Sequence, residues 1–136
     1  MTFSMLIYLS RKAGTTPEQF KAHYDNKHVP LIKEVAGSTF PLTHTRYYIR
    51  RSEGQAEGTT RNATTPAQVF LGTQSDFDVD AVVILTFTDE AAFQEFFQIT
   101  HSPENAAKVV ADEELFLDRT QTRAVALGST EVTQKD

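Results

Sequence analysis

Between residues 16 and 31 the chain reads Thr-Pro-Glu-Gln-Phe-Lys-Ala-His-Tyr-Asp-Asn-Lys-His-Val-Pro-Leu. This segment both starts a helix and limits where it can go. Thr15 or Thr16 supplies the cap, Pro17 occupies the first position, Glu18 sits in the first turn and Gln19 completes a capping box with Thr16. Phe20 and Tyr24 recur at helical spacing, extended by Lys27-His28. Pro30 disfavours helical geometry at Val29, so the pattern predicts a helix that ends at His28 and a change of direction after it. An imidazole held at such a corner can titrate near neutral pH and face a cavity.

The flanking patterns place this helix in a fold. Leu6–Leu9, beginning near Phe3, reads as a first strand, and Arg11-Lys12-Ala13-Gly14 as a turn. A short second helix through Leu31, Ile32 and Val35 ends at Gly37. From Leu42 to Arg50 two sets of side chains alternate, one of them Leu42, His44, Arg46, Tyr48 and Arg50, which predicts a second strand with one polar face. Residues 52–67, rich in Gly, Thr, Ser and Glu, read as an insertion loop open to motion. Val69-Phe70-Leu71 suggests an extra strand or a helical turn. Asp80–Phe87 is the clearest strand, Asp89 caps a helix with a Phe93, Phe96, Phe97 stripe, and a further helix runs from Glu104 to Glu114. Phe116–Leu127 reads as the last strand, and 129–136 as a polar tail behind a single domain of residues 1–128. The order β-α-β-β-α-β is that of an α+β, ferredoxin-like fold: a four-stranded antiparallel sheet with helices on one face. The uncovered face calls for a second sheet, most economically that of a homodimer, and a cavity is expected between each sheet and the loops of its own protomer.

Composition removes several classes of function. The chain of 136 residues has a net charge of −5 and no cysteine, which excludes disulfides and thiolate metal sites and fits a reducing, cytoplasmic setting. Nucleic-acid binding needs clustered cations, and only Arg50 and Arg51 are adjacent. No apolar run approaches the roughly 20 residues of a membrane span, and the first residues lack the basic start of a secretory signal. The four histidines form no close pair of the His-x-x-x-His kind, so no metal is expected. Without a phosphate loop, a dinucleotide fingerprint or a Gly-x-Ser-x-Gly elbow, no cofactor is expected either.

The run Thr16–Phe20, His23-Tyr24 and Lys27-His28-Val29-Pro30-Leu31 resembles the EthD-domain proteins of the dimeric α+β barrel superfamily. Phe40–Tyr48, Asp76–Ala81 and Asp112–Phe116 resemble a fungal-type branch of that family. The resemblance spans residues 3–127. It implies a ferredoxin-like protomer, a barrel closed by dimerisation, and chemistry related to ether degradation or to cofactor-free tailoring of aromatic polyketides.

Each candidate residue carries two readings. His28 is either a general acid/base in a pocket or a helix-end imidazole bonded to backbone carbonyls. His44, in phase with Arg46 and Tyr48, belongs either to a wall that binds an enolate or a carboxylate, with Arg46 pairing the carboxylate, or to a solvated or dimer-interface face. Tyr47 points the other way, under the helices. Asp80 either orients His28, as carboxylates do in histidine dyads, or bonds backbone in the Asp-rich turn before it. His101 caps a helix break or sits at the pocket mouth. Tyr8 and Tyr24 can donate phenolic hydrogen bonds to a carbonyl, Tyr24 from one helical turn before His28. His23 falls off that face and is expected to be exposed. Together these readings favour a cofactor-independent lyase or cyclase acting on an aromatic, polyketide-like small molecule in secondary metabolism by decarboxylation, dehydration or aldol-type closure. A cofactor-free, quinone-forming oxygenase and a non-catalytic carrier serving an oxidase are the alternatives.

Overall fold

The computed structural model describes residues 1–136. Its sheet contains β1 (Phe3–Leu9), β2 (Thr43–Tyr48), β3 (Ala81–Phe87) and β4 (Arg123–Ala126), all antiparallel, in the order β2-β3-β1-β4. Four helices pack on one face: α1 (Pro17–His23), α2 (Val29–Ala36), α3 (Glu90–Thr100) and α4 (Pro103–Phe116). This is the βαββαβ, ferredoxin-like protomer.

Side chains alternate across the sheet, as the two-residue period of a strand requires. In β3, Ala81, Val83, Leu85 and Phe87 are buried under the helices, while Val82, Ile84 and Thr86 are only half-buried on the other face. The register carries this division into the neighbours. Met5 and Ile7 lie opposite Leu85 and Val83, and His44, Arg46 and Tyr48 lie opposite Leu85, Val83 and Ala81. The helix side therefore holds the core, built around Phe20, Tyr24, Phe87 and Phe116. The open side presents Leu6, Tyr8, Tyr47, Ile84 and Val125 with no helix over them. Tyr47 is thus not under the helices, as its strand phase was read; it is exposed on the open face.

The capping box at Thr16 forms as expected: the Gln19 N–H donates to the Thr16 hydroxyl and the Thr16 N–H to the Gln19 side chain, at 3.0 and 2.9 Å. The helix does not break at Pro30. Residues Tyr24–His28 form a π-helical turn, the Val29 N–H bonds the Tyr24 carbonyl, and α2 continues directly from it. Proline removes the N–H that would continue the α-ladder, and its ring crowds the preceding turn. Widening that turn by one residue accommodates both effects and lets α2 follow directly. Gly37, at φ +57°, then ends α2 in a conformation that only glycine adopts without strain.

Other boundaries shift. Val69-Phe70-Leu71 forms neither strand nor helix, and Phe70 and Leu71 stand exposed. The stretch assigned to one long last strand splits: Phe116 closes α4, Arg119–Gln121 is a 3-10 turn, and only Arg123–Ala126 pairs with β1. The insertion loop is pinned rather than loose. Arg11, itself buried, donates to Asn62, the Arg61 carbonyl and Thr65, and Asn62 in turn donates to Asp78.

Candidate active site

A cavity of about 340 Å³ lies between the helix side of the sheet and helices α2, α3 and α4. Its walls are mainly apolar: Met5, Ile7 and Leu85 from the sheet, Phe93, Phe96 and Phe97 from α3, Val109 and Val110 from α4, and Ile32 from α2. The expected cavity therefore exists, but on the helix-covered side. The Phe93, Phe96, Phe97 stripe of α3 forms one wall of it. The polar side chains that line it include Tyr24, His28, His44, His101, Glu113 and Arg119.

His28 is buried, and its Nδ1 lies 2.8 Å from Asp112 Oδ2. A carboxylate only accepts, so Nδ1 carries a proton, and in the neutral ring Nε2, which has no protein partner, holds the lone pair. Asp112 Oδ1 accepts a second bond, 3.0 Å long, from His23 Nε2. One carboxylate on α4 thus clamps two imidazoles. Residues five apart meet it together because the intervening turn is π-helical. The His23 ring also stacks on Phe116, centroids 4.5 Å apart, so His23 is half-buried and engaged rather than exposed.

Tyr24 Oη and His44 Nε2 share a hydrogen bond of 2.8 Å beside His28. Burial, followed by the neighbouring Arg46 and His28, lowers the His44 pKa to about 4, so at neutral pH it offers a neutral imidazole. Burial and the nearby Tyr48 raise the Tyr24 phenol well above its ordinary range. Tyr24 therefore stays protonated and serves as a hydrogen-bonding hydroxyl.

The remaining sequence candidates separate from this group. Asp80 does not orient His28. It accepts from the Arg11 backbone N–H at 2.7 Å and from Arg11 Nη1 at 2.6 Å, in a pair whose side chains are only 3–4% exposed. Arg46 and Tyr48 do not line the cavity. Both donate to Asp25, Arg46 through Nε at 3.0 Å, and Lys21 adds a third donor to the same carboxylate at 2.7 Å. Burial of Asp25 favours its neutral form, but the bonds from Lys21, Tyr48 and Arg46 outweigh it and hold the carboxyl below its usual range. Arg46 is thus already paired, and carboxylate capture in the cavity does not fall to it. Tyr8 belongs to the open face of β1, opposite Val82 and Arg123, away from the cavity. His101 does line the cavity, at its exposed edge.

Asp112 is the residue that sequence reasoning missed. It sits in an acidic run, Asp112-Glu113-Glu114, that resembles a solvated helix face, 84 positions from His28. The five-residue spacing of His23 and His28 was the one local hint. No group of three or more His, Asp or Glu side chains adopts metal-holding geometry.

The sheet order and one-sided helices define a ferredoxin-like α+β protomer, with an imidazole–carboxylate pair beside its mainly apolar cavity. The family model of the EthD domain matches residues 12–120, and the chain belongs to that family. Among solved structures, an EthD-family protein from Bacillus halodurans C-125 superposes with a TM-score of 0.52 at 16% identity, over 94% of this chain and 99% of its own. An EthD-like protein from Ralstonia eutropha JMP134 gives 0.52 at 16% identity over 98% and 95%. SnoaB, a cofactor-independent oxygenase from Streptomyces nogalater, gives 0.52 at 9% identity over 98% of each chain. At these identities the likenesses establish the fold alone. No protein of curated function matches the sequence.

Proposed function

We propose that this EthD protein is a cofactor-independent lyase or cyclase that moves a proton next to a carbonyl on an aromatic, polyketide-like small molecule. The observation that carries the reading is His28, bonded through Nδ1 to Asp112, lining a mainly apolar cavity. Asp112 fixes the ring orientation and tautomer and stabilises the imidazolium formed when Nε2 takes up a proton, the division of labour of a carboxylate–histidine dyad. The unpartnered Nε2 is the base. The enolate oxygen that develops as the proton leaves accepts from the Tyr24 hydroxyl, whose oxygen in turn accepts from a His44 Nε2–H. Phenylalanine side chains of α3 pack on the flat ring system and keep water from the site. In a decarboxylation His28 takes the carboxyl proton, carbon dioxide leaves as the enolate forms, and the proton returns to carbon; in a dehydration the proton taken from carbon goes to the departing hydroxyl; in an aldol closure it goes to the oxygen of the carbonyl attacked.

The homodimer belongs to the same proposal. The open sheet face carries Leu6, Tyr8, Tyr47, Ile84 and Val125, and a second copy would bury them.

Incubation with a panel of aromatic polyketide acids and hydroxyketones, followed by mass analysis, tests the reaction class. Loss of carbon dioxide or of water, abolished on the order of 100-fold or more in a folded His28→Asn variant, is the expected result. Gain of oxygen with oxygen uptake would assign the oxygenase instead. Stoichiometric binding without turnover would assign a carrier.

A further inference from the structure

We propose that His101 is the second hydrogen-bond acceptor of the cavity, so that the ligand is a flat aromatic molecule presenting a hydroxyl donor to each of two imidazoles, His28 and His101. The inference rests on the reading of this cavity as the ligand site.

The argument turns on which ring nitrogen is engaged. His101 caps α3 at its C-terminus, and its Nδ1 lies 2.9 Å from the Phe97 carbonyl of the same helix. A carbonyl only accepts, so Nδ1 bears the hydrogen and the neutral ring keeps its lone pair on Nε2. The ring also stacks on Phe97, centroids 3.9 Å apart and planes 16° from parallel. Position and tautomer are thus set by two independent contacts, and Nε2 has no protein partner. His28 reaches the same state by a different route, through Asp112.

Most of the other polar side chains of the cavity already have a partner, and Thr122 is exposed. Tyr24 and His44 share their bond, Glu113 accepts from Arg119 at 3.2 Å, and the Thr100 hydroxyl donates to the Phe96 carbonyl at 2.9 Å. Arg119 keeps its remaining donors in water at the rim, where its side chain is 46% exposed. Two ring nitrogens without a protein partner therefore belong to residues lining a mainly apolar space, His28 buried in it and His101 at its exposed edge, and a ligand seated there would cover both. An acceptor buried against an apolar ligand atom is left unsatisfied, and a carboxylate would set oxygen against lone pair. A hydroxyl satisfies each.

Calorimetric titration, under anaerobic conditions, with a naphthalenediol and with its mono- and dimethyl ethers tests the pattern. The wild-type protein should bind the diol about tenfold or more tightly than the dimethyl ether, the equivalent of one or two net hydrogen bonds. His101→Phe, which keeps the ring stacked on Phe97, should weaken the diol by about fivefold to tenfold and leave the dimethyl ether within about twofold. Equal wild-type affinity for diol and dimethyl ether overturns the proposal. An unchanged diol affinity in His101→Phe, with loss in His28→Phe, removes His101 and leaves the cavity reading intact. Absence of binding by all three compounds removes the cavity reading and the inference with it.

Discussion

Replacement of Asp80 by alanine separates an architectural role for this carboxylate from a catalytic one. Both of its oxygens face Arg11, one accepting from the backbone N–H at 2.7 Å and the other from Nη1 at 2.6 Å. With both side chains nearly sealed from solvent, truncation leaves a guanidinium buried among neutral acceptors only: the Thr15 and Arg61 carbonyls, Asn62 and Thr65. Breaking one side of such a pair costs about 3–5 kcal/mol. For a chain of this length that corresponds to a fall of roughly 10–20 °C in Tm. Asp80→Asn keeps acceptor capacity but loses the charge, and should fall between wild type and alanine. Chemical denaturation with unchanged slope, read by far-UV circular dichroism, gives the loss directly. Binding of a naphthalenediol below the melting temperature should stay within about twofold of wild type, because Asp80 touches none of the ligand-facing groups. A loss under about 1 kcal/mol would refute the buried-pair argument. Lost ligand binding in a folded Asp80→Ala protein would return Asp80 to the dyad.

Three further outcomes follow from the same geometry. His44 titrates near 6.5 when unfolded but only at about 4 when folded, so the unfolded chain takes up the proton first as pH falls. Its contribution is fully present above pH 6.5 and is lost down to about pH 4, at up to about 1.4 kcal/mol per pH unit; His44→Phe should flatten that slope in a pH series of denaturation curves. Tyr24→Phe leaves His44 Nε2 without its partner and should cost about 1–2 kcal/mol by the same assay, together with a fall in turnover and little change in KM. Ile84→Asp, at the centre of the open sheet face, should convert a dimer into a folded monomer in sedimentation velocity; a persisting dimer would place the interface elsewhere.

Much of the frame was legible because it rests on local rules. The Thr16–Gln19 capping box, the strict alternation of β3 and the Asp89 cap are each specified by residues within a few positions of one another. The site was only half legible. His28 announced itself through the corner at Pro30, and Tyr24 through its helical spacing to His28. Both landed on the cavity, although the corner turned out to be a π-helical turn. Asp112 had no local signature, because its partners lie on a different helix and an acidic run on a helix resembles a hydrated surface. Arg46 and Tyr48 shared the strand phase of His44, but phase fixes a face and not a position along it. Farther along β2 they meet Asp25 of the π-helical turn rather than the cavity. Arg11, read as part of a turn, is the buried anchor of the loop at 52–67, a role decided wholly by contacts distant in sequence.

The central claim is that Asp112 holds the His28 proton on Nδ1 and leaves Nε2 free to act as the base. Nitrogen-15 NMR of the histidine side chains in the ligand-free protein, with His28 assigned by substitution, measures this directly. A protonated Nδ1 and a lone-pair Nε2, with the preference lost in Asp112→Ala, is the predicted spectrum; a His28 ring carrying its hydrogen on Nε2 in the wild-type protein would contradict it.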